Sequence, residues 1–129
     1  MKLDTAAFEA LDRHRYVALF TFRRTGEAVK TPVWFAGHRG KFYVFTAAES
    51  GKVKRLKNDP RIRTAPCGPR GRLRSDSIEG QARRIDDPTL ESAAYKALRA
   101  KYGWQMRVLD FTSKLAGRIE KRAILELDL

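Results

Sequence analysis

The feature that most narrows the fold is the close spacing of three β-prone runs in the first third of the chain. Tyr16 to Phe22 (YVALFTF) is β-branched and aromatic, and Arg24-Thr25-Gly26-Glu27 bounds it as a turn. Ala28 to Phe35 alternates, with Val29, Thr31, Val33 and Phe35 on one side and Lys30, Pro32 and Trp34 on the other. Gly37-His38-Arg39-Gly40 predicts the next turn and Lys41 to Thr46 (KFYVFT) the next strand. Connections this short leave no room for a parallel crossover, so the spacing predicts an antiparallel meander.

Three more strands and several short helices complete the pattern. Arg61 to Ala65, Leu73 to Ile85 and Ile119 to Leu127 read as strands, with Gly80 marking a bulge or bend in the second and Pro66 to Gly71 a loop. Thr5 to Arg13 reads as an amphipathic helix capped by Asp4 or Thr5, with Ala7, Phe8 and Leu11 on one face. Ser50 to Asn58 is a brief helix with Val53 and Leu56 inward and Pro60 beyond its end. Asp87-Pro88 opens a longer helix that Gly103 ends, and Trp104 to Leu115 is a further short one with Trp104, Val108 and Phe111 on one face. The expected class is α+β, mainly β: about six antiparallel strands curled into a small barrel, since closure removes exposed edges.

The 129 residues fit one domain, 1–129, and show neither an internal repeat nor a linker. A single cysteine, Cys67, excludes an internal disulfide and a cysteine-built metal site. The opening MKLDTAAFEALDRHR meets Asp4, Glu9 and Asp12 early and does not match a secretory leader. No run approaches the ~18 apolar residues of a membrane span. The expectation is a cytoplasmic protein with no membrane partner.

Twenty-seven Lys+Arg against fifteen Asp+Glu leave a net charge of +12, which calls for an anionic partner or a well-solvated basic face. From Gly51 to Arg74 the chain holds nine cations and one acid, Asp59, with no Phe, Tyr or Trp. Single-stranded nucleic-acid platforms interleave cations with stacking aromatics, so that partner fits poorly. His14 and His38 have no spaced companion for metal ligation. Cys67 sits among arginines that would lower its pKa, although packing is the common role of a lone cysteine. No nucleophile elbow, zinc-protease helix or Walker loop is present.

One rule is broken in an informative way. Helix N-termini favour acids. The helix at Asp87 obeys, with Asp86, Asp87 and Glu91 at its start and Lys96, Arg99 and Lys101 toward its end. The helix at Ser50 does the opposite: Lys52, Lys54 and Arg55 crowd its first turns, offset by Glu49 alone. Each misplaced cation costs about 0.3–1 kcal/mol unless an anion sits there. Backbone N–H groups, the Ser50 hydroxyl and the Lys52 ammonium would then form a phosphate site that Gly51 lets a ligand approach closely. An ordinary serine cap on a solvated basic helix accounts for the same residues. Pro32 is a second irregularity. It marks either a plain edge strand or a strand freed to present its backbone to a ligand, with Lys30, Thr31 and Trp34 lining the same site.

The run GEAVKTPVWF, a turn, then KFYVFTAAESGKVKRLKNDPRIRTAPC resembles the pyridoxamine-phosphate-oxidase-like split β-barrel superfamily. It is most similar to the flavin/deazaflavin-dependent oxidoreductase branch, and the likeness continues through EGQAR, KYGW and the final strand. The resemblance implies a six-stranded split barrel that pairs as a homodimer, with two cofactor sites in the interface. It implies FMN or coenzyme F-420 as cofactor and hydride transfer to a small-molecule substrate. It puts Thr46, Ser50 and Lys52 on phosphate-binding positions, and Lys30, Thr31, Pro32, Val33 and Trp34 on the strand flanking the ring. Two departures, Thr31 and Gly51 at positions where true pyridoxamine-phosphate oxidases carry arginine, argue against pyridoxamine phosphate as substrate. The rival expectations are a flavin or haem carrier or sensor without turnover, and a basic nucleic-acid-binding barrel.

Overall fold

The structure, a computed structural model, describes residues 3–106 and 122–129. Three helices and seven strands follow in the order α1 (Thr5–Asp12), β1 (Tyr16–Phe22), β2 (Ala28–Val33), β3 (Ala36–His38), β4 (Lys41–Ala47), α2 (Gly51–Asn58), β5 (Arg61–Cys67), β6 (Ile78–Arg84), α3 (Pro88–Tyr102) and β7 (Arg122–Asp128). All seven strands form one sheet in the order β2-β1-β5-β6-β7-β4-β3. Every paired neighbour is antiparallel. The two outermost strands, β2 and β3, are consecutive in the chain and only Trp34 and Phe35 separate them. That link spans about 11 Å at most, so the sheet must curl until its edges nearly meet. The result is a mainly β half-barrel with flanking helices, of split-barrel type.

The expected count of six strands is corrected to seven. The run Ala28 to Phe35 is not one strand feeding a meander: β2 pairs with β1, whereas β3 pairs with β4. The side-chain alternation runs unbroken through this corner. Val33 and Phe35 point into the main core while Trp34 and Ala36 face the outer cluster under α3. The ladder changes partner where the period does not, which is why the sequence reads as one strand. Arg39 and Gly40, with φ of 51° and 81°, make the tight β3–β4 turn, a conformation for which glycine suits the second position.

The expected strand Leu73 to Ile85 shortens to Ile78–Arg84, and Leu73 keeps only an isolated bridge to Cys67. Gly80 is not a bulge, because the β5–β6 register runs through it without a slip. A Cβ there would overlap the Asp128 carbonyl oxygen and the Leu129 side chain, so the glycine serves a close backbone approach. Asp4, rather than Thr5, caps α1, accepting from the Ala7 amide at 2.8 Å. The helix expected from Trp104 to Leu115 and the start of the last strand at Ile119 run into residues 107–121, outside the described residues.

The barrel interior is filled by Val17, Leu19, Val33, Phe35, Phe42, Val44, Ile62, Leu125 and Leu127, all buried. Helix α2 adds Val53 and Leu56 to this core, and α1 adds Leu11, with Phe8 stacked on Phe42 at 4.2 Å. Helix α3 covers the opposite face, packing Ala94, Leu98 and Tyr102 against Ala36, Tyr43, Ile85 and Ile124. The Tyr102 hydroxyl lies 2.9 Å from the Phe35 amide, which donates to it, and 2.9 Å from the carbonyl oxygens of Phe35 and Arg15. It thus meets the backbone groups that the broken ladder leaves at the corner. Asp12 accepts from the Gly37 amide and from the Lys101 ammonium beside it. On the outer face Glu126 accepts from the Tyr43 hydroxyl and from Arg83.

Tyr102→Phe should therefore cost about 2 kcal/mol in urea unfolding, because buried corner groups lose their partner; a change within a few tenths would contradict this. Burial, together with the Glu126 carboxylate, pushes the Tyr43 hydroxyl up to about 12. The unfolded chain loses this proton near pH 10 and the folded chain keeps it until about pH 12. Its stabilising share should be whole below pH 10 and fade across that interval. Alkaline denaturation of wild type against Tyr43→Phe measures it, and the variant should show the shallower loss.

Candidate functional site

The start of α2 sits at the rim of the barrel. Thr46 extends the inward row of Phe42 and Val44 to the end of β4. The chain then turns through residues 47–50, with the Ser50 amide on the Ala47 carbonyl at 3.0 Å. Ser50 has the extended backbone of a helix cap, and its hydroxyl accepts from the Val53 amide at a long 3.5 Å. The Thr46 hydroxyl is 3.3 Å from the Ser50 hydroxyl. Two hydroxyls and the first amides of an eight-residue helix therefore face one place.

The electrostatics confirm the inverted pattern of the sequence. The first turn of α2 holds no acid, and Glu49 is exposed. Among the described residues no carboxylate bonds the opening amides, and neither Lys52 nor Arg55 makes an ion pair. Lys52 is half-buried; burial and the nearby Arg55 charge lower its pKa from the ordinary lysine value. Arg55 is also lowered, by burial and then by Arg23. Two adjacent desolvated cations without an acid are a binding site for an anion.

Arg55 was missed by the sequence reading, which counted it only as one of several cations crowding the helix start. Its Nε donates to the Thr21 hydroxyl at 2.7 Å, and Thr21 is fully buried on the inward row of β1. The guanidinium lies back across the first turn: a Cβ on Gly51 would stand 2.7 Å from an Arg55 terminal nitrogen. The available signal was the four-residue spacing from Gly51, which puts both on one helix face.

The other predicted site residues fall in three places. Thr31 and Val33 share the inward face of β2 opposite Leu19 and Val17. Lys30 and Pro32 point the other way, where their ends lie within 4 Å of where a Gly71 Cβ would stand. Trp34 stacks on Tyr102 at 4.4 Å and meets Phe45 edge-on. Thr46, Ser50, Gly51 and Lys52 form one cluster, connected to β2 through Arg55, Thr21 and its cross-strand partner Val29. Pro32 lies on an edge strand, where a missing ladder donor is tolerated. Trp104 is 72% exposed.

Cys67 is corrected. It ends β5 rather than lying in the loop, it is buried, and burial raises its thiol pKa against the smaller opposing pull of Lys30 and Arg74. No group of three or more metal-ligating side chains occurs among the described residues. No helix among them is long and apolar enough to cross a membrane.

A half-barrel whose rim carries a hydroxyl-lined, doubly cationic helix start defines a class of small anion-binding split barrels. The chain belongs to the pyridoxamine 5'-phosphate oxidase family, whose model matches residues 3–129. A comparison with curated proteins finds no match. Among solved structures, a conserved hypothetical protein of Mycobacterium tuberculosis superposes with a TM-score of 0.72 at 20% identity, covering 98% of this chain and 79% of that one. The heme storage protein HutZ of Vibrio cholerae gives 0.70 at 11% identity, covering 99% and 90%. Campylobacter jejuni ChuZ gives 0.70 at 13%, covering 100% and 55%. At these identities the likeness is one of fold.

The site predicts a pH-dependent response to inorganic phosphate. Phosphate should raise Tm, and the rise should shrink at a pH below the ordinary lysine range, as the desolvated Lys52 gives up its proton. Lys52→Arg should keep the rise over that interval. An identical decline in both proteins would remove Lys52 from the site.

Proposed function

We propose that the protein is an oxidoreductase that uses a bound FMN or coenzyme F-420 for hydride transfer to a small unsaturated substrate. The observation that carries this is the pair of acid-free cations beside the Ser50 and Thr46 hydroxyls, a donor set that suits a phosphoryl group. When bound, the flavin or deazaflavin supplies the two-electron chemistry. The chain's own part is to hold and orient it. Thr46, Ser50 and the first amides of α2 donate to the phosphoryl oxygens, and Lys52 balances their charge. The edge strand β2 offers backbone groups from Lys30 to Trp34 along the ring, and Lys30 places a positive charge beside it. No side chain is assigned as an acid or base, because hydride transfer needs none fixed in the protein.

The active form in this reading is a cytoplasmic homodimer with the two sites in its interface. Support comes from the outer face of β1 and β5, where Arg61 and Arg63 lie over the rings of Phe20 and Phe22. A cleft of about 390 Å³ opens beside them, and Arg63 Nε is buried without a partner. A second reading, haem binding without turnover, is favoured by the fold likeness to HutZ and ChuZ. It predicts a Soret band on haem addition that FMN does not compete away.

Fluorescence titration with FMN and with coenzyme F-420 tests the reading. Lys52→Ala should weaken binding of the favoured cofactor at least tenfold with Tm unchanged. An unaltered dissociation constant would remove the phosphoryl assignment.

A further inference from the structure

We infer that Arg55 is the second cationic ligand of the phosphoryl group, and that Gly51 and Thr21 exist to seat it there. The inference rests on the phosphoryl reading above and goes further, because it selects between chemical classes of cofactor. The argument lies in the side chains rather than in the helix end.

An arginine at the fifth position of an exposed helix normally extends into water. Arg55 instead folds back toward the start of α2. Its Nε is anchored 2.7 Å from the hydroxyl of Thr21, a residue with no exposed surface. With Nε committed, the two terminal nitrogens remain as a fork of donors. Both stand over residue 51, at 2.7 and 3.4 Å from where a Cβ would be. Any side chain at position 51 would meet the guanidinium, so glycine there is a condition for this rotamer. The guanidinium is close enough to Lys52 to disfavour its charge, and no acid among the described residues relieves either. Folding has placed two positive charges side by side at a cost. A ligand with two negative charges on one atom group offsets both.

A phosphate monoester is that ligand. It carries about −1.5 to −2 charge near neutral pH, with a second pKa of about 6, and three free oxygens. One can take the Arg55 fork, one Lys52, and one the Ser50 and Thr46 hydroxyls. A phosphodiester carries a single charge and two free oxygens, and leaves one cation uncompensated. The geometry therefore favours a cofactor ending in a monoester, as FMN does, over one whose phosphate bridges two groups.

The ratio of FMN to riboflavin affinity isolates the phosphoryl contribution, and fluorescence quenching measures both. In wild type the ratio should be large, and it should fall as pH drops through about 6 with the loss of the second phosphate charge. Arg55→Gln should cut the ratio at least tenfold and flatten that pH dependence. Arg55→Lys should keep the charge without the fork and fall between. Gly51→Ala should also lower the ratio while Tm holds or rises, because the displaced atoms are the free end of a side chain and alanine is the better helix former. An unchanged ratio in Arg55→Gln, with Lys52→Ala still lowering it, would overturn the role of Arg55 and leave the phosphoryl site standing. A wild-type ratio near one, or no FMN binding, would overturn both.

Discussion

The fold turns on a corner that one hydroxyl holds. Strands β2 and β3 are the two edges of a single seven-stranded sheet, yet only Trp34 and Phe35 lie between them. Closing the sheet there breaks the ladder and strips backbone groups of their partners in a buried place. The Tyr102 hydroxyl meets the Phe35 amide and two carbonyls at once, while Trp34 lies flat on its ring. Asp12 and Lys101 brace the next residues. Because α3 brings Tyr102 from 67 residues away, the corner forms only when helix and sheet dock together.

With the corner closed, the barrel has a rim, and α2 lies across it. Val53 and Leu56 face the core and fix the helix. Its first turn is then held against the ends of β1 and β4, where Thr21 and Thr46 point inward. The buried threonine row is what converts a basic helix start into an oriented site. Thr21 takes Arg55, and Thr46 meets Ser50. The cost of crowding cations there, about 0.3–1 kcal/mol each at the surface and more when desolvated, is one that an ordinary solvated helix has no reason to carry.

Much of this was legible in the sequence because it depends on local rules. The caps at Ser50 and Asp87, the inward face of α2, and the alternation from Val29 to Phe35 all follow from period and side-chain chemistry. Two things were not legible for identifiable reasons. The seventh strand was hidden because alternation continues through a corner where only the hydrogen-bonding partner changes. Arg55 was hidden because its role depends on Thr21, 34 residues earlier, and on the absence of a side chain at Gly51. Cys67 moved from loop to buried strand end because the Cys67–Leu73 bridge continues the ordered structure past Ala65.

The central claim is a location: a phosphoryl group docks at the start of α2. A crystal structure of the protein soaked with FMN tests it most directly. The account predicts phosphate oxygens within hydrogen-bond distance of the Ser50 and Thr46 hydroxyls and of the Lys52 ammonium. Density for that phosphate on the Arg70–Arg74 loop, or on the outer face beside Arg63, with the α2 start left to water, would contradict it.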